Sequence, residues 1–221
     1  VGLYVPGGRA VYPSSVVMEV VPGLIVTQHS GDGKANQFFL RGFNLDHGTD
    51  LATSVDGVPV NMPTHGHGQG YTDINFVIPE LVQAIEYRKG TYYAETGNFS
   101  AAGAVNMRYR RKVDEPLIVL EAGEDSYLRG LVAASPEIAG GTLLFGLDYA
   151  HIEGPWILDE NFRKRNGSLR YSHDAGQDGQ FSITAQAYQG DWRSTDQVPL
   201  RAVRSGEIDR FGFIDPTDGG S

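Results

Sequence analysis

A mostly β fold is predicted for these 221 residues, a compact α+β unit followed by antiparallel strands, and three observations predict it. Glycine and proline, at 29 and 11 residues, sit beside 40% hydrophobic and 10% aromatic residues, a composition of short strands and many turns. Up to about Met107 short apolar runs of changing period alternate with glycine-rich punctuation. After Asp114-Glu115-Pro116 the chain settles into alternating segments with a period of two, the signature of strands with two different faces.

In chain order, Val1 to Ala10 has no starting Met and no signal pattern, and reads as the middle of a longer, processed or truncated chain. Pro13 to Val21 starts with N-capping serines and stops at Pro22-Gly23, which predicts a short helix despite its β-branched valines. A polar, glycine-rich loop is expected from His29 to Ala35, and one strand over Gln37–Phe43. Thr53–Val60 carries Asp56-Gly57 between β-branched flanks, the composition of a tight hairpin. Ile78 to Ile85 places Leu81, Val82 and Ile85 on one helical face behind Pro79, which predicts a helix, with a strand at Ile85–Arg88 and another at Ala101–Met107.

The second half is more regular. Phe181, Ile183, Ala185 and Ala187 share one face of a strand, and Ser182, Thr184, Gln186 and Tyr188 the other. Ser168–Asp174 and Thr142–Ile152 repeat the pattern, with further strands expected at Leu117–Gly123 and Tyr127–Ser135. Their connections alternate between short ones and a long one at Gly154–Arg165, as in up-and-down membrane barrels and in soluble meanders alike. From Trp192 to Ser221 a polar loop is expected.

Charge and composition exclude several functions. A net charge of −9 and a pI near 5.1 argue against nucleic-acid partners, which call for a concentrated basic face. Zero cysteines remove disulfides, thiolate metal sites and cysteine nucleophiles. No run approaches the roughly 20 apolar residues of a spanning helix, which leaves a β-barrel open. An enzyme could be assembled on paper from His47, Asp50 and Ser54, or from Asp159 and Glu160, but no catalytic motif supports either set, so neither a catalytic residue nor a cofactor is expected.

Between Val20 and Met107 a series of motifs follows in order: Pro22-Gly23-Leu24-Ile25-Val26, Leu40-Arg41-Gly42-Phe43, Val55-Asp56-Gly57-Val58-Pro59-Val60, Ile85-Glu86-Tyr87-Arg88-Lys89-Gly90, Tyr93-Ala94-Glu95-Thr96-Gly97 and Ala102-Gly103-Ala104-Val105-Asn106. In order and spacing this series resembles the plug of TonB-dependent outer-membrane receptors. The resemblance implies a plug domain at residues 1–112, truncated at its N-terminus, and the N-terminal strands and loops of an incomplete transmembrane barrel at 113–221. It implies a plug lodged in a barrel of about 22 strands, wide enough to need plugging. It also implies residence in the cell outer membrane of a Gram-negative bacterium, contact with outer-membrane lipid, and active uptake of a scarce nutrient such as a siderophore-type metal chelate. The energising partner would be the inner-membrane TonB complex, whose contact segment is not visible here. The competing expectation is a soluble, secreted β-rich module that binds carbohydrate or protein. The two differ in the outward face of the strands after Leu117, apolar with aromatic edges for a transporter and polar for a soluble domain.

By the same resemblance, Arg41 and Gly42 lie at a plug–barrel interface, where the guanidinium would pair with barrel carboxylates and lock the gate. Asp56 and Gly57 are accounted for by turn geometry. The segment Asn61 to Tyr71 is the unusual one, and in the family this region faces incoming ligand. His65, His67, Gln69 and Tyr71 are the candidate ligand contacts, offering imidazoles, an amide and an aromatic face in a glycine-rich loop. His65 and His67 are weak metal candidates, with Met62 or Asp73 to complete a site. Asp46-His47 and His29 raise the same question more faintly.

Overall fold

A computed structural model describes residues 17–28, 31–176, 179–194 and 198–214. Val1–Ala10, the first four residues of the Pro13–Val21 segment and His29 lie outside the described residues; residues 17–19 are helical. The described residues fall into two compact units, one within residues 17–28 and 35–110 and one within residues 31–34 and 111–214.

The first unit holds two small sheets. Strands β1 (Leu24–Thr27), β2 (Gln37–Leu40) and β3 (Phe43–Leu45) form an antiparallel sheet. Strands β4 (Leu51–Val55), β5 (Val58–Pro59), β6 (Val82–Lys89) and β7 (Gly103–Tyr109) form a mixed sheet in the order β5-β4-β7-β6, with β4 and β7 parallel. Its core is apolar: Phe38, Leu40, Leu45, Leu51, Ile74, Val77, Ile78, Leu81, Val105 and Met107 are buried. Along β4 the alternation puts Leu51, Thr53 and Val55 inside, so this strand uses its period of two in the soluble-protein sense.

Two expectations for this unit are corrected. The stretch Gln37–Phe43 is not one strand, because Arg41 (φ 53°) and Gly42 (φ 84°) turn the chain back and pair Leu40 with Phe43. Two consecutive positive φ values make a turn that matches the twist of the strands it joins. The helix expected over Ile78–Ile85 is a single 3-10 turn at Pro79–Leu81 followed by β6. Ile78 supplies no side-chain cap, and pairing of Val82–Lys89 with β7 satisfies more backbone groups than a short uncapped helix would.

The second unit is a six-stranded antiparallel sheet of β8 (Leu117–Ala122), β9 (Leu128–Ala134), β10 (Glu137–Ile138), β11 (Gly141–Ile152), β12 (Phe162–Asp174) and β13 (Gln180–Asp191), in the order β13-β12-β11-β9-β8 with β10 on β11. The long connection is shorter than expected, since β12 begins at Phe162. A helix, α1 (Leu200–Ser205), interrupts the tail expected to be a loop. Pro199 before it and Gly206 (φ 76°) after it are the start and stop signals that periodicity alone overlooked. Among the described residues no helix is long and apolar enough to cross a membrane.

The polar loop expected after His29 is not solvated: residues 31–33 are buried and belong with the second unit. Buried Glu160 accepts hydrogen bonds from the Asp32 amide at 3.2 and 3.1 Å. Gly33 (φ 91°) lies so close to the Trp192 ring that a Cβ there would sit 2.2 Å from it, so only glycine permits this approach.

Candidate functional site

In the first unit the loop from Asn61 to Thr72 is closed at its base. Met62 and Tyr71 bridge antiparallel, with the Met62 amide donating to Tyr71 O at 2.9 Å and the Gly70 amide to Met62 O at 2.8 Å. Buried Asn61 clamps the base. Its Oδ1 accepts from the Thr53 amide at 2.7 Å, and its Nδ2 donates to Thr72 Oγ1 (2.7 Å) and to the carbonyls of Leu51 (3.0 Å), Gly70 (3.1 Å) and Gly48 (3.2 Å). An amide has two N–H bonds, so these four acceptors share them.

The clamp also fixes the segment before β4. The Thr72 amide donates to His47 O at 2.8 Å. His47 is buried and has a left-handed backbone (φ 51°), a conformation uncommon for residues other than glycine and frequent at functional sites. Its Nδ1 lies 2.7 Å from Ala35 O. A carbonyl only accepts, so Nδ1 carries the hydrogen and the basic lone pair of the neutral ring is on Nε2. The Ala35 amide in turn donates to Tyr71 Oη at 3.0 Å, so one residue orients both rings. Burial pushes the Tyr71 phenol above its usual range, which keeps it protonated.

The sequence candidates divide on this base. His65 stacks flat on Tyr71, centroids 4.0 Å apart at 13°, and its Nδ1 accepts from the His67 amide at 3.2 Å. His67 turns instead toward His47, ring centroids 4.4 Å apart at 78°. Asp46 Oδ1 is 3.8 Å from His47 Nε2. Asp46, His47 and His67 thus present donor atoms all within 4.8 Å of one another. Gln69 is exposed, Met62 contributes backbone bonds to the bridge, and Asp73 caps the Asn75 amide at 2.7 Å. Asp46 and His47, faint candidates in the sequence, hold the place beside His67 that i, i+2 spacing assigned to His65.

Arg41 is exposed at its hairpin tip. Asp56 (φ 50°) and Gly57 (φ 79°) make the turn between β4 and β5. Asp56 Oδ1 accepts from the Tyr109 amide at 3.0 Å, and Asn106 Oδ1 accepts from the Gly57 amide at 3.0 Å. Of the paper catalytic sets, Glu160 spends its carboxylate on the Asp32 amide.

The second unit carries its own polar centre. Buried Asp148 faces Arg129 Nε at 2.7 Å through Oδ1 and Lys164 Nζ at 3.0 Å through Oδ2. Arg129 also reaches Glu121 Oε1 at 3.2 Å, and Tyr127 donates to Glu121 Oε2 at 2.7 Å. Asn166, Ser168 and Ser172 are buried on the same face of the sheet. The opposite face is apolar. Leu120 (81% exposed), Ile118, Val132, Leu147 (61%), Leu169 and Ile183 (66%) are all exposed on it. Register joins Ile118, Val132, Leu147, Gly167 and Ala187 into one row. Tyr149 flanks that row toward Arg165 and Asp191, while Tyr171 and Phe181 stand on its other side.

Residues 10–104 match the family model described as the TonB-dependent receptor plug domain. The structure is similar to the ferric citrate transporter FecA in its unliganded form (19% identity, TM-score 0.68, 91% of this chain and 32% of that one). It is also similar to the copper transporter OprC (17%, 0.62, 81% and 28%) and to the siderophore receptor PirA of Acinetobacter baumannii (18%, 0.59, 82% and 30%). The chain spans about a third or less of the length of these structures. A plug joined to antiparallel strands of an incomplete barrel is therefore the fold.

Proposed function

We propose that this chain, a fragment of a TonB-dependent receptor by its plug match and its fold, supplies the gate and first wall strands of an outer-membrane transporter. Residues 1–112 are read as the plug and 113–221 as N-terminal strands of the barrel. The observation that carries this reading is the outward face of the second unit's sheet, where Ile118, Leu120, Leu147 and Ile183 are exposed while Arg129, Asp148 and Lys164 are enclosed on the other face. Lipid selects an apolar exterior, whereas water penalises one, and a soluble carbohydrate- or protein-binding module would carry the opposite arrangement.

The whole protein is read as taking up a scarce nutrient of the metal-chelate class, energised by the TonB complex, without chemistry on its cargo. His65, His67, Gln69 and Tyr71 meet incoming ligand on the loop that Asn61 closes. Arg41 takes the gating role: a left-handed backbone at a non-glycine residue is retained where the side chain is used, and an exposed guanidinium at a hairpin tip is placed to meet carboxylates.

Cells lacking the full-length gene should lose growth and radiolabelled uptake under one of iron, zinc or copper limitation, and regain both on complementation. Unchanged uptake of all three, free and chelated, would set the metal-chelate reading aside.

A further inference from the structure

We propose that Asp46, His47 and His67 form a binding site for a divalent cation of the zinc and copper class, with the fourth position open to water or to a donor atom of a chelator. Three independent features converge on it. The donor set is two imidazoles and one carboxylate, which suits Zn²⁺ and Cu²⁺ and lacks the many oxygens that Ca²⁺ and Mg²⁺ require. His47 is oriented as metal-bound histidines are: Nδ1–H to a backbone carbonyl at 2.7 Å, which fixes the ring and assigns Nε2 as the ligating nitrogen. That nitrogen is also the atom 3.8 Å from Asp46 Oδ1.

The spacing is that of a site ready to close. Donors on a tetrahedral ion at ~2.1 Å stand about 3.4 Å apart, against the 4.8 Å that bounds the three atoms here. The gap can close on the exposed side: Asp46 and His67 are exposed, and His67 lies between Gly66 and Gly68, where backbone adjustment is least hindered. His47 stays put, held by Ala35 O, by Gln37 Oε1 at its own amide (3.3 Å) and by the Thr72 amide at its carbonyl. One rigid donor and two adaptable ones allow capture and release at the same site. Binding of the cation follows from this geometry alone, and only its role in loading cargo rests on the uptake reading.

The test uses the full-length receptor in detergent, titrated with ZnCl₂ against a chelator of known affinity, and with Cu²⁺ followed by electron paramagnetic resonance. His67→Ala and Asp46→Asn, both exposed and thus safe for folding, should each weaken Zn²⁺ binding on the order of a hundredfold. His67→Ala should also reduce the nitrogen hyperfine pattern from two imidazoles to one. Thr64→Ala, an exposed change on the same loop outside the donor set, should leave affinity within about threefold. The proposal is overturned by wild-type protein that binds no Zn²⁺ below millimolar concentration, by unchanged affinity in both variants, or by an equal loss in Thr64→Ala. Zinc binding without uptake would overturn the transport reading alone, and uptake by a receptor that binds no zinc would overturn this site alone.

Discussion

Strands β4 and β9 share the same period of two and differ in what they present outward. In β4, Leu51 and Val55 point inward with one polar residue, Thr53, between them. In β9, Arg129, Leu131 and Ala133 point inward, one charged residue beside two apolar ones, and Leu128 and Val132 point outward. Backbone geometry is common to both; what differs is the medium on the outside. In the first unit burial of apolar side chains drives assembly at roughly 25 cal/mol per Å². In the second no such gain comes from the outward face, and the inward face adds the ion pairs and hydrogen bonds of Asp148 and its neighbours to buried Leu131, Leu144 and Phe162.

The sharpest way to break the contrast is to remove the shared anion. Asp148→Ala leaves Arg129 and Lys164 enclosed without the carboxylate they share, and should destabilise the folded protein by about 3–5 kcal/mol, measured by urea unfolding of the full-length receptor in detergent. A loss below about 1 kcal/mol would show that water reaches this centre freely. Next in size is Leu147→Arg on the outward face, expected to disfavour membrane insertion by about 2–4 kcal/mol, read as reduced folding yield into lipid vesicles. For a water-facing residue the same change would be nearly silent, within about 0.5 kcal/mol.

Asn61→Ala probes the first unit alone. It strips one buried acceptor and both N–H donors from the loop base, and about 2–3 kcal/mol of local stability should go with them. Hydrogen exchange of the Gly70, Tyr71 and Thr72 amides should accelerate correspondingly while β9 and β11 remain protected. If strand amides of the second unit accelerate equally, the two units do not unfold separately. Smallest in stability is Arg41→Asn, because asparagine tolerates the left-handed backbone and nothing buried is lost; the change should stay within about 0.5 kcal/mol. Uptake should nonetheless fall severalfold with ligand affinity unchanged, and parallel loss of both would move Arg41 from gating to ligand contact.

Much of this was legible because the signals are local. Asp-Gly at 56–57 needs only two residues' φ preferences, and the alternation of Phe181–Tyr188 needs only the pleat. The helix expected at Ile78–Ile85 failed because three apolar residues spaced for a helix also suit a strand, and the partner β7 lies about twenty residues further along. Arg41-Gly42 was read through because a non-glycine residue at positive φ leaves no mark in composition. That His65 and His67 turn to different neighbours was not legible for a related reason: spacing fixes which side chains are near in sequence, while Tyr71 and the Asn61 clamp decide where each ring turns.

The amino-acid sequence by itself determined the strand period, the tight turns, the order of plug motifs and the lack of thiol chemistry, since each follows from nearest-neighbour sterics or residue identity. Only the tertiary structure decided which face of each strand meets the outside and that Asp46 and His47 meet His67. Both depend on contacts between residues far apart in the chain: a period of two is the same whichever side is wet, and a donor cluster exists only once buried hydrogen bonds bring its segments together.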